Sequence, residues 1–232
     1  MEFFNELVSE IENQYSQRTS NAGWRFLYCS EKNINQNNGI YFVTLNPGGS
    51  EERQDQGKAS CEEGNAIITE MWRTMPPGSS PLQKQIQEVF KVIGNKLELK
   101  YPEVLENALS GYFIPFRSKD YNSLESKKGA YDFGISLWTK ILLNRKPSVI
   151  ITIDRLAFKG MKDIAKDALG CSDPIEEEYP TGWGNVRVYI ARYDKDGLII
   201  VRFPHLSRFT IFTSQKSETN SKEILIKALG KF

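Results

Sequence analysis

Two short segments carry side chains suited to chemistry, and each directly follows an apolar run. The first is Leu45-Asn46-Pro47-Gly48-Gly49. Its proline and glycines make a tight turn whose backbone N–H groups can face a ligand. Asn46 adds an amide donor and a carbonyl acceptor, able to hold a water or the polar edge of a substrate. A plain turn has the same composition. The second is Arg202-Phe203-Pro204-His205-Leu206-Ser207-Arg208, which contains the single histidine of the chain. Histidine can donate a hydrogen bond to a developing anion or shuttle a proton near neutral pH. Ser207 and Arg208 can hold a phosphate, or form a capped turn with a solvated arginine. A third segment, Ile114-Pro115-Phe116-Arg117-Ser118, offers Phe116 either as a core side chain or as a platform for a base. Such stacking is worth roughly 1–3 kcal/mol.

The elements that must position these segments are legible from periodicity. Phe3, Phe4, Leu7, Val8, Ile11 and Tyr15 recur at helical spacing, predicting a helix over 2–18. Residues 40–45 form a compact run of branched and aromatic side chains, a buried strand that stops at Asn46-Pro47. Residues 147–153 give the strongest strand signal. Their apolar side chains do not alternate, as when both faces of a parallel sheet are covered. Residues 111–116 are a second short strand. Helices are expected over 82–97, 131–143 and 157–169, the last stopped at Gly170. Residues 186–191 and 198–203 flank Asp194-Lys195-Asp196-Gly197, which has turn chemistry. They read as a hairpin, or as an edge strand beside a central one. Asn220-Ser221-Lys222-Glu223 resembles a capping box opening a last helix that Gly230 closes. Strands separated by helices argue for a layered α/β domain. Its ligands collect at the carboxyl ends of parallel strands, where the three segments lie.

Composition narrows the classes. Of 232 residues, 40% are hydrophobic and 25% charged, the balance of a globular protein. Such a chain buries roughly 70% of its extended surface without a metal or disulfide. Thirty basic against 29 acidic residues leave a charge of +1, so any polyanion must be met by a local patch. Residues 201–232 carry six Lys/Arg and two Glu, a local excess of four. Residues 51–70 carry six acidic and two basic side chains and should not lie against a phosphate backbone. Cys29, Cys61 and Cys171 are far apart and form no metal-ligand spacing. The N-terminus lacks the features of a signal peptide, and no apolar run approaches the roughly 20 residues that span a bilayer. A cytoplasmic monomer with no membrane contact and no obligatory protein partner is the simplest expectation.

Together, the strand entering Leu45-Asn46-Pro47-Gly48-Gly49 and the late strand entering Phe203-Pro204-His205-Leu206-Ser207-Arg208 resemble the uracil-DNA glycosylase superfamily. The first motif is most similar to the mismatch-specific and single-strand-selective branches. The resemblance spans about residues 24–230, although its specific content is short. It implies one domain over 1–232, with the helix 2–18 and a polar insertion at about 50–81. The implied fold is a three-layer α/β/α sandwich around a central, mainly parallel four-stranded sheet. It further implies a monofunctional, cofactor-free enzyme acting on DNA in base-excision repair. Such an enzyme hydrolyses the N-glycosidic bond of a damaged, mismatched or modified base and leaves an abasic site. By the same resemblance Asn46 positions the attacking water, and Pro47, Gly48 and Gly49 form the loop that binds the base. His205 stabilises the departing base. Leu206, Ser207 and Arg208 press into the duplex and grip its backbone. Phe116, read from its own stacking chemistry as a base platform, and Arg117, a further DNA contact, complete the candidate residues.

The chemistry suits those residue types. A base inside a duplex must be flipped out, at a few kcal/mol of unstacking, and it departs as an anion that preorganised donors stabilise. Asn46 is too weak a base to activate water and would orient it. The motifs also differ from the uracil enzymes. The second reads Phe-Pro-His-Leu-Ser-Arg rather than His-Pro-Ser, no carboxylate occupies position 46, and Tyr112 to Pro115 contain no amide to read a uracil edge. These differences direct the expectation toward another base. Two alternatives stay open: a non-catalytic nucleic-acid or nucleotide-binding protein on the same scaffold, and a nucleoside-type hydrolase.

Overall fold

The computed structural model describes residues 2–49, 57–72 and 74–230. The helices are α1 (Glu2–Ser16), α2 (Ala66–Thr69), α3 (Pro81–Leu97), α4 (Glu103–Glu106), α5 (Lys127–Asn144), α6 (Arg155–Asp167) and α7 (Glu218–Leu229). The strands are β1 (Trp24–Arg25), β2 (Ile40–Thr44), β3 (Gly57–Lys58), β4 (Leu109–Tyr112), β5 (Val149–Thr152), β6 (Ile175–Pro180), β7 (Arg187–Tyr193) and β8 (Leu198–Arg202). Among the described residues no helix is long and apolar enough to cross a membrane. Part of the expected polar insertion, 50–56 and 73, lies outside the described residues.

The main sheet runs β4-β2-β5-β8-β7-β6. Pairs β4–β2, β2–β5 and β5–β8 are parallel, whereas β8–β7 and β7–β6 are antiparallel. The expected four-stranded, mainly parallel sheet is therefore corrected to a six-stranded mixed one. Two causes lie in the sequence. The turn at Asp194–Asp196, closed by Gly197 at φ +63°, returns the chain directly from β7 to β8. The added edge strand β6 reads Ile-Glu-Glu-Glu-Tyr-Pro, and its three glutamates hide any apolar alternation. Those charges are placed by partners. Glu176 meets Lys162, Glu177 meets Arg192 at 3.1 Å, and Glu178 meets Arg187 at 3.2 Å. A charged edge also resists pairing with another sheet.

Period-two alternation divides the core. Ile40 and Phe42 of β2, Val149 and Ile151 of β5, and Ile199 and Val201 of β8 pack with α2, α3, α4 and α7 on one face. Tyr41, Val43, Ile150, Leu198 and Ile200 pack with α1, α5 and α6 on the other. On α1 the buried positions are Phe4, Leu7 and Ile11. Helix α3 starts at a capping box, with the Ser80 hydroxyl accepting from Gln83 N at 3.3 Å and Pro81 in the first turn. The capping box expected at Asn220 to Glu223 is not formed. Helix α7 begins a turn earlier, at Glu218, and Ser221 is buried inside it.

The free edge of β4 is covered. Tyr28 N donates to Ser110 O at 3.0 Å and Tyr112 N to Phe26 O at 2.9 Å, laying 24–28 along that edge. Strand β3 pairs with β1 outside it. Gly57 is needed there, because a Cβ would stand 2.5 Å from the Trp24 indole. The extended segment predicted over 111–116 forms a strand only over 109–112. Its continuation follows β2 out of the sheet, with Phe113 N donating to Thr44 O and Ile114 N to Leu45 O, both at 2.7 Å. The Phe113 ring sits under α5 and α6, where a Cβ at Gly134 would meet Phe113 O at 2.7 Å and one at Gly160 its ring at 2.3 Å. Those glycines let both helices close onto the loop that carries Phe116 to Ser118.

Candidate functional site

The strand order reverses at β2: the chain next adds β4 on one side and β5 on the other. Ligand crevices of open α/β sheets lie at such a switch point, beyond the carboxyl ends of the strands. The loops leaving β2, β4, β5 and β8 all project from that edge. So does the turn 181–186, because β7 runs antiparallel with Tyr189 opposite Arg202. Strands β2 and β8 both flank β5, so their ends stand about 10 Å apart across it.

The β2 and β4 loops form one hydrogen-bonded unit. Ser118 N donates to Pro47 O at 3.1 Å, and Arg117 Nη1 donates to Gly48 O at 2.5 Å. The half-buried Asn46 donates through Nδ2 to Ser118 Oγ at 2.9 Å and to Pro47 O at 3.2 Å. The Ser118 hydroxyl spends its one proton on Asp120 O, at 2.7 Å. Toward Asn46 it can only accept, which fixes the amide with Oδ1 turned away from the loop. Pro47 is buried, whereas Gly48 and Gly49 are exposed. Among the described residues Gly48 has no atom within 4 Å of where a Cβ would stand, while Gly49 adopts φ +107° beside the Arg117 side chain.

The β8 loop is the second unit. Phe203 N donates to Thr152 O at 2.9 Å, and His205 O accepts from Arg208 N at 2.9 Å and Phe209 N at 3.0 Å. His205 is exposed, with Nδ1 2.9 Å from Ser207 Oγ. Ser207 and Arg208 are exposed, and the Arg208 guanidinium lies 5.5 Å from the Phe209 ring. Leu206 is fully buried in the cluster holding Phe203, Ile211 and Phe212. The buried Gln85 on α3 ties the loop down, accepting from Phe212 N at 2.8 Å and donating to Thr213 Oγ1 at 2.6 Å.

The structure thus joins Asn46, Pro47, Gly48 and Arg117 directly. It sets His205, Ser207 and Arg208 across β5 from them, on the same edge. Phe116 and Leu206 stand apart from both groups. Phe116 is 1% exposed, its ring 6.5 Å from Tyr15 and 5.5 Å from Phe133, with the Arg18 guanidinium 4.3 Å above it. Neither it nor Leu206 presents an open face.

Other residues at this edge have no local signature. Asp154 caps α6, accepting from Leu156 N at 2.6 Å, with Arg155 beside it. Arg202 lies 3.8 Å over the Tyr189 ring, and burial lowers the pKa of its guanidinium. Among the described residues, Arg117, Lys119, Arg155, Arg202 and Arg208 share these loops and strand ends with Asp120, Glu125 and Asp154, a cationic rim that net charge hides. Trp183 sits in the turn 181–186, 6.4 Å from Phe209; a tryptophan between Gly182 and Gly184 is the one signal that could have found it. Beneath the β2 end, Tyr28 donates to Thr44 Oγ1 at 3.1 Å. Burial pushes the phenols of Tyr28 and Tyr112 up, so both remain neutral hydrogen-bonding groups.

An ion-pair cluster clasps the polar insertion to the β4 edge. Arg25 Nη2 meets Glu70 Oε1 at 2.6 Å and Cys61 Sγ at 2.9 Å, and Lys58 meets the same Glu70 oxygen at 2.6 Å. Burial alone would push the Glu70 carboxyl up, but the bonds and charge of Arg25, then Lys58, outweigh it and hold it at about 2. All three cysteines are buried free thiols. No protein-family model matches the chain, and no curated protein matches its sequence.

Proposed function

We propose that the protein is a DNA glycosylase, hydrolysing the N-glycosidic bond of a flipped, non-canonical base at the carboxyl edge of its parallel strands. The observation that carries this reading is the pairing of Asn46 and His205. They follow the two strands that flank β5, at the edge where the strand order reverses. Asn46 Oδ1, held outward by Ser118, accepts from a water and aims it at the sugar carbon. That carbon already has oxocarbenium character as the bond to the base breaks. His205 donates to the base, which leaves as an anion, and the cationic rim receives the backbone phosphates.

The test is base release from single- and double-stranded oligonucleotides. The panel carries uracil, mismatched uracil and thymine, hypoxanthine, xanthine, and hydroxymethylated or glucosylated pyrimidines. Abasic sites are revealed by alkaline cleavage. At least one substrate is expected to be cleaved, with release reduced about 10-fold or more in Asn46→Ala, the loss of a water-positioning group. Ser118→Ala frees the amide to rotate and is expected to lower kcat about 10-fold at nearly constant KM. An equal fall in all substrate binding would make Ser118 merely structural.

Binding without catalysis is the second reading, favoured by one observation. Phe116 and Leu206, the side chains expected to stack on a base and wedge the duplex, are both covered. Retained DNA binding with no release across the panel would select it.

A further inference from the structure

A pocket of about 100 Å³ opens beside the strand-end loops, between the end of α1 and the loop after β4. Arg18, Lys119, Ser20 and Ser123 line it, Phe116 closes one wall, and Arg117 and Ser118 separate it from Gly48 and Asn46. Among the described residues the one carboxylate in the lining, Glu125, is already engaged. It accepts from Thr19 N and Ser20 N at 3.0 Å each, and from Thr19 Oγ1 at 3.1 Å. Arg18 donates to the backbone carbonyl of Glu125 rather than to its carboxylate, and its guanidinium lies 4.3 Å over the Phe116 ring.

We propose that this pocket binds a phosphate group. Its chemistry is that of an oxyanion site: Arg18, Arg117 and Lys119 line it with the Ser20 hydroxyl, while the Ser123 hydroxyl donates to Asp120 Oδ1 at 2.9 Å and the Glu125 carboxylate is bound by backbone N–H groups. Arg presents a fork of N–H donors that matches phosphate oxygens. The volume is well below the roughly 300–1,000 Å³ of sites that enclose drug-sized ligands, so it suits a tetrahedral ion and not a base. Burial lowers the pKa of Arg18, a guanidinium that has lost water and would regain stabilisation from an anion. The proposed function enters only in naming the source, a backbone phosphodiester next to the flipped nucleotide. A nucleotide monophosphate would present the same group.

The test uses the full chain with three probes: inorganic phosphate, thymidine monophosphate and a single-stranded 12-mer. Backbone amide shifts of Ser20, Gly23 and Ser123 report the pocket, and fluorescence anisotropy at several salt concentrations reports the oligonucleotide. Arg18→Gln keeps a donor for the Glu125 carbonyl, Lys119→Ala removes an exposed cation, and thermal unfolding checks both folds. Phosphate is expected to move the pocket amides and to bind at least 5-fold more weakly to Arg18→Gln. Lys119→Ala is expected to weaken the 12-mer about 3- to 10-fold and to reduce the log–log salt slope by about one. Pocket amides that respond to phosphate and nucleotide, with no oligonucleotide binding, would keep the phosphate site and remove the glycosylase. Amides unmoved by every probe, with affinity and salt slope equal in wild type and variants, would overturn the pocket. Base release could then still stand.

Discussion

With His205 replaced by alanine, base release is expected to fall by about 10²-fold or more, the usual scale for losing a group that stabilises a leaving anion. Folding should be almost untouched. The side chain is exposed and its one hydrogen-bond contact is to the equally exposed Ser207; surface changes of that kind stay within about 0.5 kcal/mol. The contact also selects the chemistry. When Ser207 Oγ donates to Nδ1, the ring proton sits on Nε2, which is then the donor available to a ligand. Single-turnover release, read beside a urea melt, separates the two effects. An unchanged rate would remove His205 from the mechanism and leave Asn46 without a partner across β5.

Replacing Glu70 by alanine is expected to destabilise the fold by about 3 kcal/mol, the lower end for stripping one partner from a buried ion pair. Arg25, 11% exposed at its side chain, would lose its counter-charge and keep only the Cys61 sulfur. The effect should depend on pH with a definite sign. The folded Glu70 carboxyl lies at about 2, below its ordinary value of 4.5. Its stabilisation is therefore complete above about pH 5 and is lost as pH falls toward 2. Urea melts of wild type and variant should differ most near pH 7 and converge at low pH. A gap of the same size at pH 7 and pH 3 would show that packing, not charge, holds the insertion in place.

The sequence by itself determined the buried strands and the loops that end them. Residues 40–44, 149–152 and 198–202 are apolar on both faces, and a run covered by helices on both sides looks the same wherever it lies in the sheet. Asn46-Pro47 and Pro204 stop two of those runs with residues that cannot continue a central strand, so the site loops are legible for a local reason. Tertiary structure alone decided the rest. The six-stranded order depends on β6, whose glutamates are matched to Lys162, Arg187 and Arg192 in other elements. The outward Oδ1 of Asn46 depends on Ser118, 72 residues away. The anchoring of the His205 loop depends on Gln85, 127 residues from Phe212. Phe116 and Leu206 followed the same rule in the opposite direction. An aromatic or leucine in a loop has no periodicity to mark it as buried, and α1 and the Phe203–Phe212 cluster cover them. Local pattern reports what a segment prefers, and only contacts between distant segments decide which side chains remain open to a ligand.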